Sequence, residues 1–257
     1  MNTGLFFTYQ TDLPEGVGYS LFHAEHFVIM LLCLALIAAG LCAYDRCKDA
    51  SMRKRMRRVT ASSAMALIVL RLIFVSACGA ALIYELPLHL CSIAGILSFI
   101  FEFGYGKMPE KISGLIGHLL FSVCLVGAAL AIVFSDGTAY PAFHFITIES
   151  NLFHALVIMY ILICKTEGMI MPSVKDSYKS VLFLAAIAAF VFAVDKWLHA
   201  NYMFLLGPSA GSPLMPFYEK WGYAGYLISL CAIAVIEIYA VNLIALSVEK
   251  RMRRPHM

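Results

Sequence analysis

The sequence predicts an all-α polytopic membrane protein: a seven-transmembrane-helix bundle with its N-terminus outside and its C-terminus cytoplasmic. Three observations carry this. Of 257 residues, 61% are hydrophobic and 14% are charged, against about a quarter charged in an average soluble protein. Mean hydropathy is +0.83, and so few charges cannot coat a 28.4 kDa globule in water; soluble enzymes, nucleic-acid binders and disordered scaffolds are set aside. The cations, finally, lie in a few clusters between apolar stretches.

Residues 1–21 contain Phe6, Phe7, Tyr9 and Tyr19 among polar residues, a mixture suited to an outer interfacial segment. No basic region precedes an apolar core there, as a cleaved signal would require. A bilayer core takes roughly 20 apolar residues per helix. Stretches that qualify are 22–43, 60–84, 88–104, 112–134, 143–164, 180–198 and 222–247, the third and fifth carrying polar residues near one end. No internal repeat or linker interrupts them, so 1–257 reads as one transmembrane domain closing in a basic tail, 248–257.

Charge placement orients the bundle. Arg46, Lys48, Arg53, Lys54, Arg55, Arg57 and Arg58 follow the first span, Lys107 and Lys111 the third, Lys165, Lys175 and Lys179 the fifth, and Lys250, Arg251, Arg253 and Arg254 the last. With the N-terminus outside, all of these face the cytoplasm, sixteen of the nineteen cations, as the positive-inside rule requires. The 46–58 run therefore reads as a topogenic loop before it reads as a lipid or nucleic-acid patch.

The eight cysteines fall mostly inside apolar runs without CxxC or zinc spacing, the pattern of small buried hydrophobes. Six of the eight histidines, His23, His26, His89, His144, His154 and His199, map to the outer ends of spans or outer loops. Intramembrane ionisable residues usually face a bundle interior or a watered cavity. His144, Thr147, Asn151 and His154 recur at steps of three, four and three, one helix face. Asp195, His199 and Tyr202 share another at the end of span six. Any one such histidine commonly just bonds a backbone carbonyl or joins helices; together they predict a polar cavity open to the outer leaflet. Arg71 and Glu237 each fall some 15 Å from the cytoplasmic face, at about 1.5 Å per residue, and are expected to form a structural ion pair.

One cysteine differs by context. In Glu85-Leu86-Pro87-Leu88-His89-Leu90-Cys91 the proline disfavours helix at Leu86 and starts one just after, leaving Cys91 in the first turns of span three. A helix N-terminus favours a thiolate. His89, two residues away, faces elsewhere, so the base is expected from another span: His154, oriented by Asn151 or Asp195. Geometry argues against this in one respect. A fifth span beginning near His144 puts His154 about 15 Å along its axis, whereas Cys91 lies near its helix start.

The chain resembles the YwaF-like integral membrane proteins, a bacterial group related to a mammalian transmembrane ether-phospholipid acyltransferase. The resemblance is carried by Leu86-Pro87-Leu88-His89-Leu90-Cys91, by Phe153-His154, and by Asn201-Tyr202-Met203-Phe204-Leu205. It implies acyl transfer between phospholipid and lysolipid, with Cys91 as nucleophile and His154 as base, or His144 ten residues earlier. Asn201 or Asn151 is then a hydrogen-bond donor to the oxyanion. It further implies membrane lipids as substrates, no nucleic acid, no cofactor, and a bacterial plasma-membrane site towards the outer leaflet. Two other functions compete. A metal-dependent lipid hydrolase would draw on His23, His89, His154, His199 and Asp195, although no HExxH motif is present. A transporter or receptor without chemistry lacks a visible inverted repeat, and the last span has no lysine for retinal.

Overall fold

A computed structural model of the protein describes residues 3–135, 137–209 and 212–252; Arg253 and Arg254 of the basic tail lie outside the described residues. Those residues form helices, turns and links with no strand among them. The helices are α1 (Ala24–Arg46), α2 (Ala50–Ala77), α3 (Leu90–Gly104), α4 (Glu110–Leu119), α5 (Leu125–Val133), α6 (Phe145–Thr166), α7 (Ser177–Leu198) and α8 (Met215–Met252). A π-helical turn, Leu120–Cys124, joins α4 to α5 in one rod. Counting that rod once, six helices among the described residues are long and apolar enough to cross a membrane. The expected third span is shorter: α3 has 15 residues, about 22 Å at about 1.5 Å per residue, against a hydrocarbon core of about 30 Å.

Helix ends differ from the hydropathy windows for local reasons. Asp49 caps α2, its carboxylate accepting from the Ser51 and Met52 N–H groups at 3.3 and 3.0 Å. Arg53–Arg58 consequently ride on the first turns of α2 rather than in a loop; Lys, Arg and Met are good helix formers once a cap is present. The other end closes at Ala77 instead of residue 84. There Gly79 takes φ 69°, and the Ala80 and Gly79 N–H groups bond back to the Val75 and Ser76 carbonyls at 3.1 and 3.0 Å, a Schellman stop that a Cβ would strain.

The chain forms two compact units. The first comprises residues up to Phe103 with Gly127–Ile163. Its centre is α6, whose most apolar window is 72% buried, against 17% for α1. Towards the C-terminal ends of α1 and α6, Tyr44, Met159 and Ile163 pack with Leu41, Met56 and Leu156. A Cβ on Gly40 would run into Met159, which explains the glycine. α3 approaches α6 as closely: a Cβ on Gly95 would lie 2.7 Å from the Phe153 ring and 3.0 Å from Ile68. Phe74, Val75, Tyr140 and Ile146 make a second cluster under Tyr9 and Leu13 of the N-terminal segment.

The second unit comprises Gly104–Val126 and the chain from Cys164 onward. His118 of α4 lies 2.7 Å from Ser180 Oγ and donates from Nε2 to the Ser173 carbonyl at 2.8 Å. Asn242 of α8 accepts from the Ser173 N–H at 3.0 Å. These bonds lock α4, α7 and α8 through groups that would otherwise be orphaned. The most apolar windows of α7 and α8 are each only 11% buried, as expected of helices facing lipid.

Candidate functional site

The turn at Pro87 is closed by a bond from the Leu88 N–H to the Leu86 carbonyl at 2.7 Å. The His89 carbonyl then accepts from the Ile93 N–H at 3.0 Å. Cys91 is accordingly the second residue of α3, half-buried, as its sequence context predicts. Gly95 lies one turn further on the same face.

Two contacts fix how α3 lies on α6. Gly95 abuts Phe153, and Glu102 accepts from the Tyr160 hydroxyl at 3.2 Å. Each pair spans the same interval in sequence, so the helices run parallel and in constant register. One turn back from Gly95 and Phe153, that register sets Cys91 level with Glu149. His154 lies five residues deeper, about 7.5 Å at about 1.5 Å per residue, half the offset expected from the sequence.

His154 is buried, and its Nδ1 lies 2.6 Å from the Ser150 carbonyl. A carbonyl can only accept, so Nδ1 of the neutral ring carries the hydrogen and Nε2 presents its lone pair. That is the tautomer a general base requires. His144 is different. Nε2 donates to the Thr8 carbonyl at 2.9 Å, Nδ1 accepts from the Ile146 N–H at 3.1 Å, and the ring stacks on Tyr140 at 4.6 Å. Burial lowers its pKa below the ordinary histidine value. Both nitrogens hold backbone, so His144 fastens the N-terminal segment to the start of α6. Asn151 donates to the Thr147 carbonyl at 2.8 Å, with Oδ1 4.0 Å from Cys33 Sγ.

Arg71 does not use Glu237. Its Nε meets Glu85 at 2.8 Å and its guanidinium reaches Glu149 at 3.2 Å. Arg71 is also electrostatically coupled to Cys91. The link after α2 folds back and delivers Glu85 to the arginine, while Tyr9 donates to the other Glu85 oxygen at 3.1 Å. Burial, with Glu85 beside it, pushes the Tyr9 phenol up; burial pushes Tyr140 up to about 12. Glu237 lies in the second unit, where its Oε1 is buried without a hydrogen-bond partner.

The first unit therefore contains Cys91, His89, Asn151, His154 and the unanticipated Arg71–Glu85–Glu149 cluster. A signal for Glu149 was present: it is the one Asp, Glu, Lys or Arg in the 143–164 stretch that the histidine stripe already marked. Asp195 and Asn201 belong to the second unit and serve the turn after α7. Asp195 Oδ1 accepts from the Tyr202 N–H at 2.7 Å; Asn201 donates to the Gly207 carbonyl and accepts from the Leu206 N–H at 2.9 and 2.8 Å. Among the described residues no three His, Cys, Asp or Glu side chains gather as a metal site, so the zinc set drawn from His23, His89, His154, His199 and Asp195 is not assembled.

Residues 21–240 match the family model described as the TMEM164 family. No curated protein and no solved structure matches the chain.

Proposed function

The chain belongs to the TMEM164 family, a membrane protein family, and from that premise we propose that it moves a fatty acyl chain from a phospholipid to a lysolipid by Cys91 and His154. The observation that supports this is the α3–α6 register, which puts Cys91 on the Gly95 face of α3, level with Glu149 and five residues from His154 along α6. The Cys91 thiol gives its proton to His154 Nε2 as sulfur attacks the ester carbonyl carbon. The tetrahedral intermediate expels the lysolipid alkoxide, which takes that proton, leaving an acyl thioester. An acceptor hydroxyl then loses its proton to His154 and attacks the thioester; the departing thiolate recovers the proton. Water as acceptor would make the same steps a hydrolysis. In this reading α3 acts as a seventh membrane segment, the N-terminus faces out, and the site opens to the outer leaflet of a bacterial plasma membrane.

The test uses purified protein in liposomes with a phospholipid labelled in one acyl chain and an unlabelled lysophospholipid. Wild type transfers the label. Cys91→Ala abolishes transfer, and His154→Ala lowers it by roughly 10²–10⁴-fold, the range of a general base. Full transfer by both variants would falsify the mechanism; label released as free fatty acid would mark a lipase.

A further inference from the structure

In the second unit, Glu237 has no counter-ion among the described residues: no charged group acts on it, and Oε1 is buried without a hydrogen-bond partner. Beyond a kink at Gly222, where φ is 66°, α8 runs unbroken to Met252. Glu237 lies fifteen residues from either point, about 22 Å at about 1.5 Å per residue. Trp221 and Tyr223 mark one end and Lys250 and Arg251 the other, the anchors of two membrane interfaces. The carboxyl is therefore at mid-depth. α7 and the π-helical turn pack against α8. α7 has no ionisable side chain between Lys179 and Asp195, and the turn has only the Cys124 thiol. On α8 itself the nearest are Cys231 and Tyr239, whose spacings of six and two turn them to other faces. Ile233 and Ile236 beside Glu237 are 45% and 66% exposed, which opens this flank of the helix to lipid.

Polar groups lead to this depth from one side. Ser173 gives its hydroxyl hydrogen to Asp176, whose side chain is 39% exposed, at 2.7 Å. Its N–H goes to Asn242 and its carbonyl accepts from His118, so His118 and Asn242 stand level. Ser122 follows His118 by four residues on the rod, and Glu237 precedes Asn242 by five on α8, which runs the opposite way. Both are then about 6–8 Å further from the basic end, at one depth. Ser122 Oγ lies 3.1 Å from Ser180 Oγ, itself 2.7 Å from His118 Nδ1. The aromatic end offers no such chain. The Tyr223 and Tyr226 hydroxyls are taken by the Leu205 and Phe204 carbonyls at 3.0 and 2.6 Å, and Ser229 is the one hydroxyl on α8 between Tyr226 and Glu237. The facing stretches, Val181–Val194 of α7 and Leu125–Val133 of the rod, carry none.

We propose that Glu237 is a proton-binding site, loaded and emptied through these polar groups from the face that bears Lys250 and Arg251. An unpartnered carboxylate in hydrocarbon is an uncompensated charge, and taking up a proton removes it. The proton leaves hydronium at the basic face, binds a Glu237 carboxylate oxygen, and on release returns to water at the same face. This site is independent of Cys91 and of the acyl-transfer reading.

The experiment treats the full chain in sealed membrane vesicles with the permeant reagent dicyclohexylcarbodiimide, the pH being set separately on the two sides. Trypsin trimming at Lys250 and Arg251 identifies which side bears the tail. A protonated carboxyl adds across one C=N bond of the reagent: its oxygen bonds the central carbon and its proton goes to nitrogen. Acyl migration from oxygen to nitrogen then leaves a stable N-acylurea, which mass spectrometry locates. The adduct should form at Glu237 in the wild type, with Glu237→Gln as the blank. Raising the pH on the tail side should slow its formation, about tenfold per pH unit once the carboxyl ionises. Raising the pH on the other side should not. No adduct at Glu237 in the wild type, a rate indifferent to pH on either side, or a rate set by the side away from the tail would each overturn the proposal. If the adduct obeys the tail-side pH while Cys91→Ala keeps full acyl transfer, the Cys91 mechanism fails and the proton site stands.

Discussion

Arg71 sits between the carboxylates of Glu85 and Glu149, with the Cys91 thiol within its electrostatic reach. A guanidinium favours the thiolate of Cys91; a nearby carboxylate disfavours it. On a background lacking the other cysteines, Arg71→Met should slow alkylation of Cys91 by a small permeant reagent at fixed pH. Glu149→Gln should speed it. Each change should be about tenfold, the lower end of what one close charge does to an ionisation. Rates moving the same way in both variants would show that the cluster does not set the reactivity of the thiol. The polar stripe of α6 and the placing of Cys91 at a helix start were legible in the sequence, because both follow from spacing along one element. The partner of Arg71 was not. Matching it to Glu237 used depth alone, and depth says nothing about which way a side chain points around the helix axis. Glu85 reaches Arg71 only because the link after α2 folds back, a tertiary fact with no local signal beyond Pro87.

At the scale of helices, the α3–α6 contact depends on a missing side chain. Gly95→Leu should destabilise the protein by about 1–3 kcal/mol through overpacking, read as a lower melting temperature in detergent, and should also depress acyl transfer by spreading Cys91 from α6. Gly114 of α4 is the control. A Cβ there meets nothing within 4 Å, so Gly114→Ala should stabilise by about 0.5–1 kcal/mol through backbone entropy alone. Equal losses from both substitutions would remove the packing explanation for Gly95. Hydropathy located the helices but misjudged the ends of α2, because a window averages apolarity whereas ends are set by single residues. Asp49 extends the helix through its basic run, and Gly79 stops it seven residues early.

Over the whole chain, the cation clusters make topology testable without any enzyme assay. In intact cells an impermeant thiol reagent should label Thr11→Cys, and it should label Lys48→Cys only after permeabilisation; the reverse pattern would invert the assigned orientation. The charge asymmetry that supports this orientation is a property of the entire sequence and could be counted directly. The short length of α3 could not, since its apolar stretch and its polar flank merge in the hydropathy profile. That shortness has a physical consequence for the surrounding lipid. In the proposed topology α3 is some 8 Å shorter than the hydrocarbon it would occupy, a hydrophobic mismatch that a bilayer relieves by thinning locally at a cost of fractions of a kcal/mol per Å. Under the acyl-transfer reading, thinning above the N-terminal end of α3 dimples the leaflet and lowers its ester layer towards Cys91, so the bilayer itself brings the bond to be cleaved down to the thiol. The protein should then melt higher and turn over faster in bilayers of short-chain lecithins than in thick, long-chain ones, where each added methylene deepens the dimple and raises the cost of forming it.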